Sequence, residues 1–230
     1  MPLSVRYHAL IPAAGAGARF GADLPKQYWL LRGKPVLLRS IERLAENMPV
    51  DRAYVLLSPD DRWFDSVIGV CENVTPLRCG GETRAATVRN ALDLLTDADD
   101  DDWVIVHDAV RPCVDAASLL RLKQELVEDP VGGILAIPMT STLKRDDGEH
   151  RSLRTEPREA LWQAQTPQMF RRGVLRKALA QPGALHASDE AQAVEALGLR
   201  PLLIAGSATN IKITYRDDLA LAEAIDATGR

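Results

Sequence analysis

The stretch Tyr7-His8-Ala9-Leu10-Ile11-Pro12, followed at once by Ala13-Ala14-Gly15-Ala16-Gly17-Ala18-Arg19-Phe20-Gly21, decides how the chain is read. Six residues of mostly apolar character have the length of a buried strand. Small residues then let backbone N–H groups approach an anion with no Cβ in the way. A loop at the carboxyl end of a parallel strand is also where open α/β sheets bind ligands. Working outward, strand-like and helix-like segments alternate. Strands are expected at residues 52–58, 74–79, 103–107, 133–138 and 200–205. Helices are expected at 35–47, 82–95, 116–128, 171–180, 189–197 and 217–227. This alternation predicts one α/β domain over residues 1–230, Rossmann-like, with a mostly parallel sheet covered by helices on both faces.

Residues 139–160 (MTSTLKRDDGEHRSLRTEPREA) break the rhythm. They are polar, lack a helical period and carry an Asp-Gly turn signal, so a protruding β-hairpin arm is expected. The acidic run at 97–102 (DADDDD) is expected to be a solvated helix-to-strand loop. The chain has 230 residues and a net charge of −4, which disfavours wrapping nucleic acid. Its apolar runs fall well short of the ~20 residues of a membrane helix. Cys71, Cys79 and Cys113 share no C-x-x-C spacing, and the four histidines are scattered, so a zinc site is not expected. No secretory signal pattern is present, and a cytoplasmic setting is expected.

The glycine loop excludes two familiar phosphate binders. The third glycine of a dinucleotide G-x-G-x-x-G is one residue late, and the acid that should end the second strand is missing. The G-K-[ST] of a P-loop is absent. What remains is a triphosphate loop that carries its own cations, Arg19 and Lys26. Residues 12–34 hold four basic residues against one acid, +3, which leaves −7 for the rest of the chain. The positive charge sits where phosphates would lie.

Pro12-Ala13-Ala14-Gly15-x-Gly17-x-Arg19 with Pro25-Lys26-Gln27-Tyr28 resembles the nucleotidyltransferases that form CDP-activated polyol phosphates. Further blocks follow in order. They are Gly80-Gly81-Glu82-Thr83-Arg84 with Thr87, residues 106–112 (VHDAVRP), 142–145 (TLKR), 161–168 (LWQAQTPQ), 188–191 (SDEA) and 210–214 (NIKIT). The resemblance implies a CTP-dependent cytidylyltransferase acting on 2-C-methyl-D-erythritol 4-phosphate in the non-mevalonate isoprenoid route. The neighbouring alternative is ribitol 5-phosphate as acceptor. The resemblance implies catalytic roles for Arg19, Lys26, Arg158 and Lys212. Nucleotide binding would fall to Pro12, Ala13, Ala14, Gly15, Gly17, Gly80, Gly81, Glu82, Arg84 and Thr87. Acceptor binding would fall to Asp108, Arg111, Thr142, Thr166 and Ser188, with Asp108 also holding Mg²⁺. It implies further that the arm reaches a twofold partner, giving a homodimer with shared sites. Glu82, Thr87 and Ser188 stand where the family more often has Asp, Ser and Thr. His107 is expected to pack or hydrogen-bond beside Asp108 rather than to catalyse.

Overall fold

The structure, a computed structural model, describes residues 5–15 and 24–228. In chain order it comprises β1 (Tyr7–Pro12), β2 (Leu30–Leu31), β3 (Lys34–Pro35), α1 (Val36–Asn47), β4 (Arg52–Leu56), α2 (Phe64–Val67), β5 (Val74–Leu77) and α3 (Arg84–Leu94). Then follow β6 (Trp103–Val106), α4 (Ala116–Leu126), β7 (Gly132–Pro138), β8 (Leu143–Asp146), β9 (Ser152–Glu156), β10 (Trp162–Arg171), α5 (Arg172–Leu179), α6 (Glu190–Glu195), β11 (Leu202–Ala205) and α7 (Asp217–Ala227).

Seven strands form one sheet in the order β11-β7-β10-β6-β1-β4-β5. All neighbours are parallel except β10, which runs antiparallel to both β6 and β7. The α/β class and mostly parallel sheet are as expected, but β10 was not anticipated as a strand. Its middle reads Gln165-Thr166-Pro167-Gln168, polar and proline-interrupted, and the pairing with β7 shifts register between Ala164 and Gln168. These polar side chains are satisfied from outside the sheet. Gln165 Nε2 donates to the Ser207 carbonyl at 2.8 Å and Gln168 Nε2 to Asp189 Oδ2 at 2.9 Å.

Successive residues of β1 point to opposite faces, as a strand requires. Ala9 and Ile11 pack with Leu37, Ile41 and Leu44 of α1 and Leu119, Leu122 and Leu126 of α4. Leu10 faces the other side, with Val88 and Leu92 of α3, Leu175 and Leu179 of α5 and Val194 of α6. Helices therefore seal both faces, and the loops at the carboxyl ends of β1 and β6 are left to form a site. A smaller cluster of Leu31, Val36, Ile213 and Ala222 fastens α7 and the 211–213 segment beside that end.

Within residues 139–160, β8 and β9 pair antiparallel, and Gly148 at φ +96° makes the turn. The acidic run differs from expectation at one residue. Asp102 is buried, because its carboxylate accepts from the Arg6 and Asp99 N–H groups, at 2.9 and 3.0 Å, and lies 3.2 Å from His8 Nε2. It bolts the start of β6 to β1, while the rest of the run is loop.

Candidate active site

A cleft of about 620 Å³ opens at the carboxyl ends of β1 and β6. Pro12, Ala13, Ala14 and Gly15 form one wall, and Gly81, Glu82, Arg84 and Thr87 another. Lys26, Asp108 and Lys212 line it as well. Gly17 and Arg19 lie outside the described residues. Gly80 stands just behind the wall, where a Cβ would come within 2.7 Å of the Ala14 Cβ and 2.9 Å of the Leu57 carbonyl. The two glycine stretches, 65 residues apart in the chain, thus meet through a contact that only glycine permits. The Gln27 side chain, buried, donates to the Ala13 carbonyl at 3.0 Å and braces the loop.

The second wall opens α3. Thr83 caps the helix by accepting from the Ala86 N–H at 3.0 Å. Thr87 Oγ1 accepts from the Gly81 N–H at 3.0 Å and donates to the Thr83 carbonyl at 3.0 Å. Its hydroxyl is thus engaged in shaping the loop, and Thr87 stands as part of the cleft wall. The α3 N-terminus, whose Thr83, Arg84 and Thr87 line the cleft, brings a positive dipole end that favours an anion there.

Asp108 is the electrostatic centre. It is buried and meets three cations: Lys212 Nζ at 2.9 Å, Arg111 Nε at 3.2 Å and Arg84 Nη2 at 3.3 Å. Burial alone would push its carboxyl up, but Arg84, Lys212 and Arg111 together hold it well below the usual carboxylate range. Lys26 Nζ donates to the Ile213 carbonyl at 2.9 Å, which brings the first loop next to Lys212.

Arg111 and Thr166, expected to bind acceptor, do not line the cleft. Arg111 Nη1 donates to the Asn210 carbonyl at 2.6 Å, while Thr166 Oγ1 accepts from the Asp108 N–H at 3.0 Å. Both brace Asp108 from behind. Thr142 and Arg158 also lie off the cleft, exposed at the base of the β8–β9 hairpin, where Arg158 donates to the Thr140 carbonyl. Ser188 lines a separate cavity of about 380 Å³ beside Trp162. Sequence reasoning missed Gln27, Glu190 and Asn210. Each stands in a quoted block, yet only tertiary partners reveal its use.

His107 is fully buried and accepts from the Thr166 hydroxyl at Nδ1 (3.1 Å) while Nε2–H donates to the Arg111 carbonyl (3.1 Å). This pairing defines the neutral tautomer. Burial pushes its pKa down to about 4, against a weaker opposing pull from Asp108. A histidine depressed in the folded state lends stability that is full above its unfolded pKa of about 6.5 and is lost as pH falls toward 4. The expected result is an acid-side loss of stability of about 3 kcal/mol at most from this group. It is checked by melting temperatures across pH 7 to 4, which should decline less steeply in His107→Gln. An equal slope in the variant rules the assignment out.

A divalent cation can be tested against these groups. Among the described residues there is no cluster of three or more His, Cys, Asp and Glu side chains. Mg²⁺ is, however, commonly held by one or two carboxylates with substrate phosphates and water supplying the rest. Asp108 is ionised, faces the cleft and is a hard oxygen donor, so it fits as the protein's share of such a site. Three surrounding cations mean that a dication is accepted here together with a polyanion.

Such a cleft, at the carboxyl ends of a mostly parallel sheet, suits the phosphates of a nucleotide, and the solved structures that superpose on the chain make its fold that of a nucleotidyltransferase. Residues 7–227 match the family described as IspD: 2-C-methyl-D-erythritol 4-phosphate cytidylyltransferase, and the chain belongs to it. The chain is 51% identical over 225 residues to the 2-C-methyl-D-erythritol 4-phosphate cytidylyltransferase of Dechloromonas aromatica, covering 96% of this chain and 97% of that protein. It is 50% identical over 230 residues to that of Nitrosospira multiformis, covering 95% and 97%. Among solved structures, a 4-diphosphocytidyl-2C-methyl-D-erythritol synthase superposes with a TM-score of 0.85 at 40% identity, covering 97% of this chain and 99% of the other. The Francisella tularensis enzyme superposes with a TM-score of 0.82 at 34% identity, covering 96% and 99%.

Proposed function

We propose that this cleft transfers the cytidylyl group of CTP to the phosphate of 2-C-methyl-D-erythritol 4-phosphate. The products are 4-diphosphocytidyl-2-C-methyl-D-erythritol and pyrophosphate, on the way to isoprenoid precursors. The observation that carries the reading is the convergence of Lys212, Arg84 and Asp108 with Lys26 at the mouth of the glycine loop.

An acceptor phosphate oxygen attacks the α-phosphorus of CTP, a new P–O–P bridge forms, and the α–β bond breaks to release pyrophosphate. Both reactants are anions, so repulsion is the main barrier and cation placement the main remedy. The nucleophile is already ionised and needs no general base, in keeping with a neutral, buried His107. Lys26 and Arg19 hold the triphosphate, Arg19 as a two-pronged fork and Lys26 as a point charge. Lys212 and Arg84, posed by Asp108, lie against the charge that builds on the α-phosphate. Backbone from Ala13 to Gly17 and from Gly80 to Glu82 cradles the nucleoside. Asp108 would hold Mg²⁺, which would supply further charge neutralisation when bound.

Thr142 and Arg158 serve the acceptor phosphate from a second copy of the chain, and the protein works as a homodimer joined through the hairpin. Leu153, Leu161 and Trp162 are exposed on the hairpin and its stem, surface that a second copy would cover. A cytoplasmic setting goes with three free cysteines. No described helix is long and apolar enough to cross a membrane.

The decisive experiment is Mg²⁺-dependent pyrophosphate release from CTP with 2-C-methyl-D-erythritol 4-phosphate, read beside ribitol 5-phosphate. Release with the former and not the latter is expected, and the reverse overturns the acceptor. Sharing of sites predicts complementation. Arg158→Ala and Lys212→Ala proteins, each nearly inactive, should recover partial turnover after subunit exchange, because a mixed dimer holds one intact site. No recovery in a mixture shown to exchange would mean that Arg158 acts within its own chain.

A further inference from the structure

Behind the cleft, outside its lining, stands a carboxylate for which neither the glycine loop nor the hairpin has a use. Glu190 is 1% exposed, and its Oε1 lies 2.6 Å from Arg84 Nη1. Its other oxygen, Oε2, is buried and makes no hydrogen bond among the described residues. Stability does not explain such a group. A buried ion pair with an unsatisfied oxygen is commonly matched or bettered by apolar side chains of the same volume.

Its placement explains it better. Arg84 lines the cleft, and the nitrogen that Glu190 grips, Nη1, is not the one that meets Asp108. The other nitrogen, Nη2, is buried 3.3 Å from Asp108 Oδ1, an ion pair without a hydrogen bond among the described residues. A long side chain fastened at one edge keeps its opposite edge aimed, and Glu190 is itself immobilised from two sides. Asp189 caps α6 by accepting from the Gln192 N–H at 2.9 Å, and Gln168 of β10 accepts from the Ala191 N–H at 2.9 Å. Thr83 donates to the Leu185 carbonyl at 2.7 Å, so α3 and the segment leading to α6 are tied as well. The row Glu190–Arg84–Asp108–Lys212 alternates in sign, running from behind the cleft into it.

We propose that Glu190 is a positioning residue for cytidylyl transfer. It clamps Arg84 through Nη1 and so fixes the guanidinium, with Nη2 set against Asp108, at the anionic centre of the cleft. The proposal rests on the cytidylyltransferase reading of the cleft. Its effect should fall on the chemical step, because a guanidinium that wanders can still attract CTP but does not meet the transition state.

The test is steady-state pyrophosphate release by Glu190→Gln, Glu190→Asp, Arg84→Lys and the Glu190→Gln/Arg84→Lys double variant, with melting temperatures for each. Glu190→Gln keeps shape and loses the charge-assisted bond. It is expected to lower kcat about tenfold while KM for CTP stays within about threefold. Glu190→Asp should recover part of the turnover, since the charge remains on a shorter stem. On the Arg84→Lys background, where there is no guanidinium to clamp, Glu190→Gln should cost less than about twofold more. Folded Glu190→Gln with wild-type kcat, or a loss that multiplies fully on the Arg84→Lys background, overturns the proposal while wild-type turnover still upholds the reading of the cleft. Should Glu190→Gln fail to fold, Glu190→Asp on the two backgrounds decides by the same comparison. If the wild type itself releases no pyrophosphate, the cytidylyltransferase reading falls and the role of Glu190 with it.

Discussion

Alanine at position 212 is expected to lower kcat by roughly 10²–10³, the usual loss when one preorganised contact to developing charge is removed. The fold should survive. The flanking Ile213 packs at 0% exposure and its N–H donates to the Val110 carbonyl, so the 211–213 segment is held by its isoleucines and backbone. Lys212 reaches outward from that anchor, its side chain 44% exposed, to lie 2.9 Å from Asp108. At that exposure the ion pair adds little to stability, and the value proposed for it is catalytic. Pyrophosphate release measured beside a melting curve separates the two. Turnover within about threefold of wild type in a folded Lys212→Ala protein would remove Lys212 from the mechanism.

Asn in place of Asp108 should do two kinds of damage. The amide keeps the shape but withdraws the one negative charge shared by Arg84, Arg111 and Lys212. Arg111 is 8% exposed and cannot turn to water, so roughly 3–5 kcal/mol of stability should go, as when one member of a buried pair is removed. Loss of the centre that poses Lys212 and Arg84, and that would share the metal, should also lower kcat by ~10² or more. The pH dependence follows from the depressed carboxyl. Its stabilisation is complete above the unfolded value of about 3.9 and fades only below it, so a pH titration of stability should lose part of its acid-side decline in Asp108→Asn. A folded variant with near wild-type kcat and an unchanged acid-side decline is the outcome that sinks this account.

Legibility varied for physical reasons. β1 and β6 stood out because strands buried on both faces must be apolar throughout. β10 did not, although it sits in the middle of the sheet. Its polar residues, Gln165 and Gln168, are paid for by partners 42 and 21 residues away, and no local pattern reports that. Asp102 looked solvated within its acidic run, yet donors from Arg6 and Asp99 converge on it. In the site, chemistry-bearing side chains next to a glycine loop were recognisable. Their division of labour was not. Arg111 and Thr166 read as ligand contacts, but their polar atoms are spent on Asn210 and Asp108. The Arg84–Glu190 pair spans 106 positions, and only the packing of α5 and the 184–186 turn on α3, with α6 on α5, brings it together.

The reversed strand has one more consequence. Because β10 returns alongside β7, the chain between them leaves and re-enters the sheet at the edge where β1 and β6 also end. An excursion attached there grows from the rim of the cleft whatever its length or sequence. The scaffold thus behaves as a socket. Residues 139–160 lie between the core strands β7 and β10, so exchanging that insert would leave the register of every core strand in place. Variation in acceptor among enzymes with this sheet would then concentrate in a segment that contributes nothing to the core.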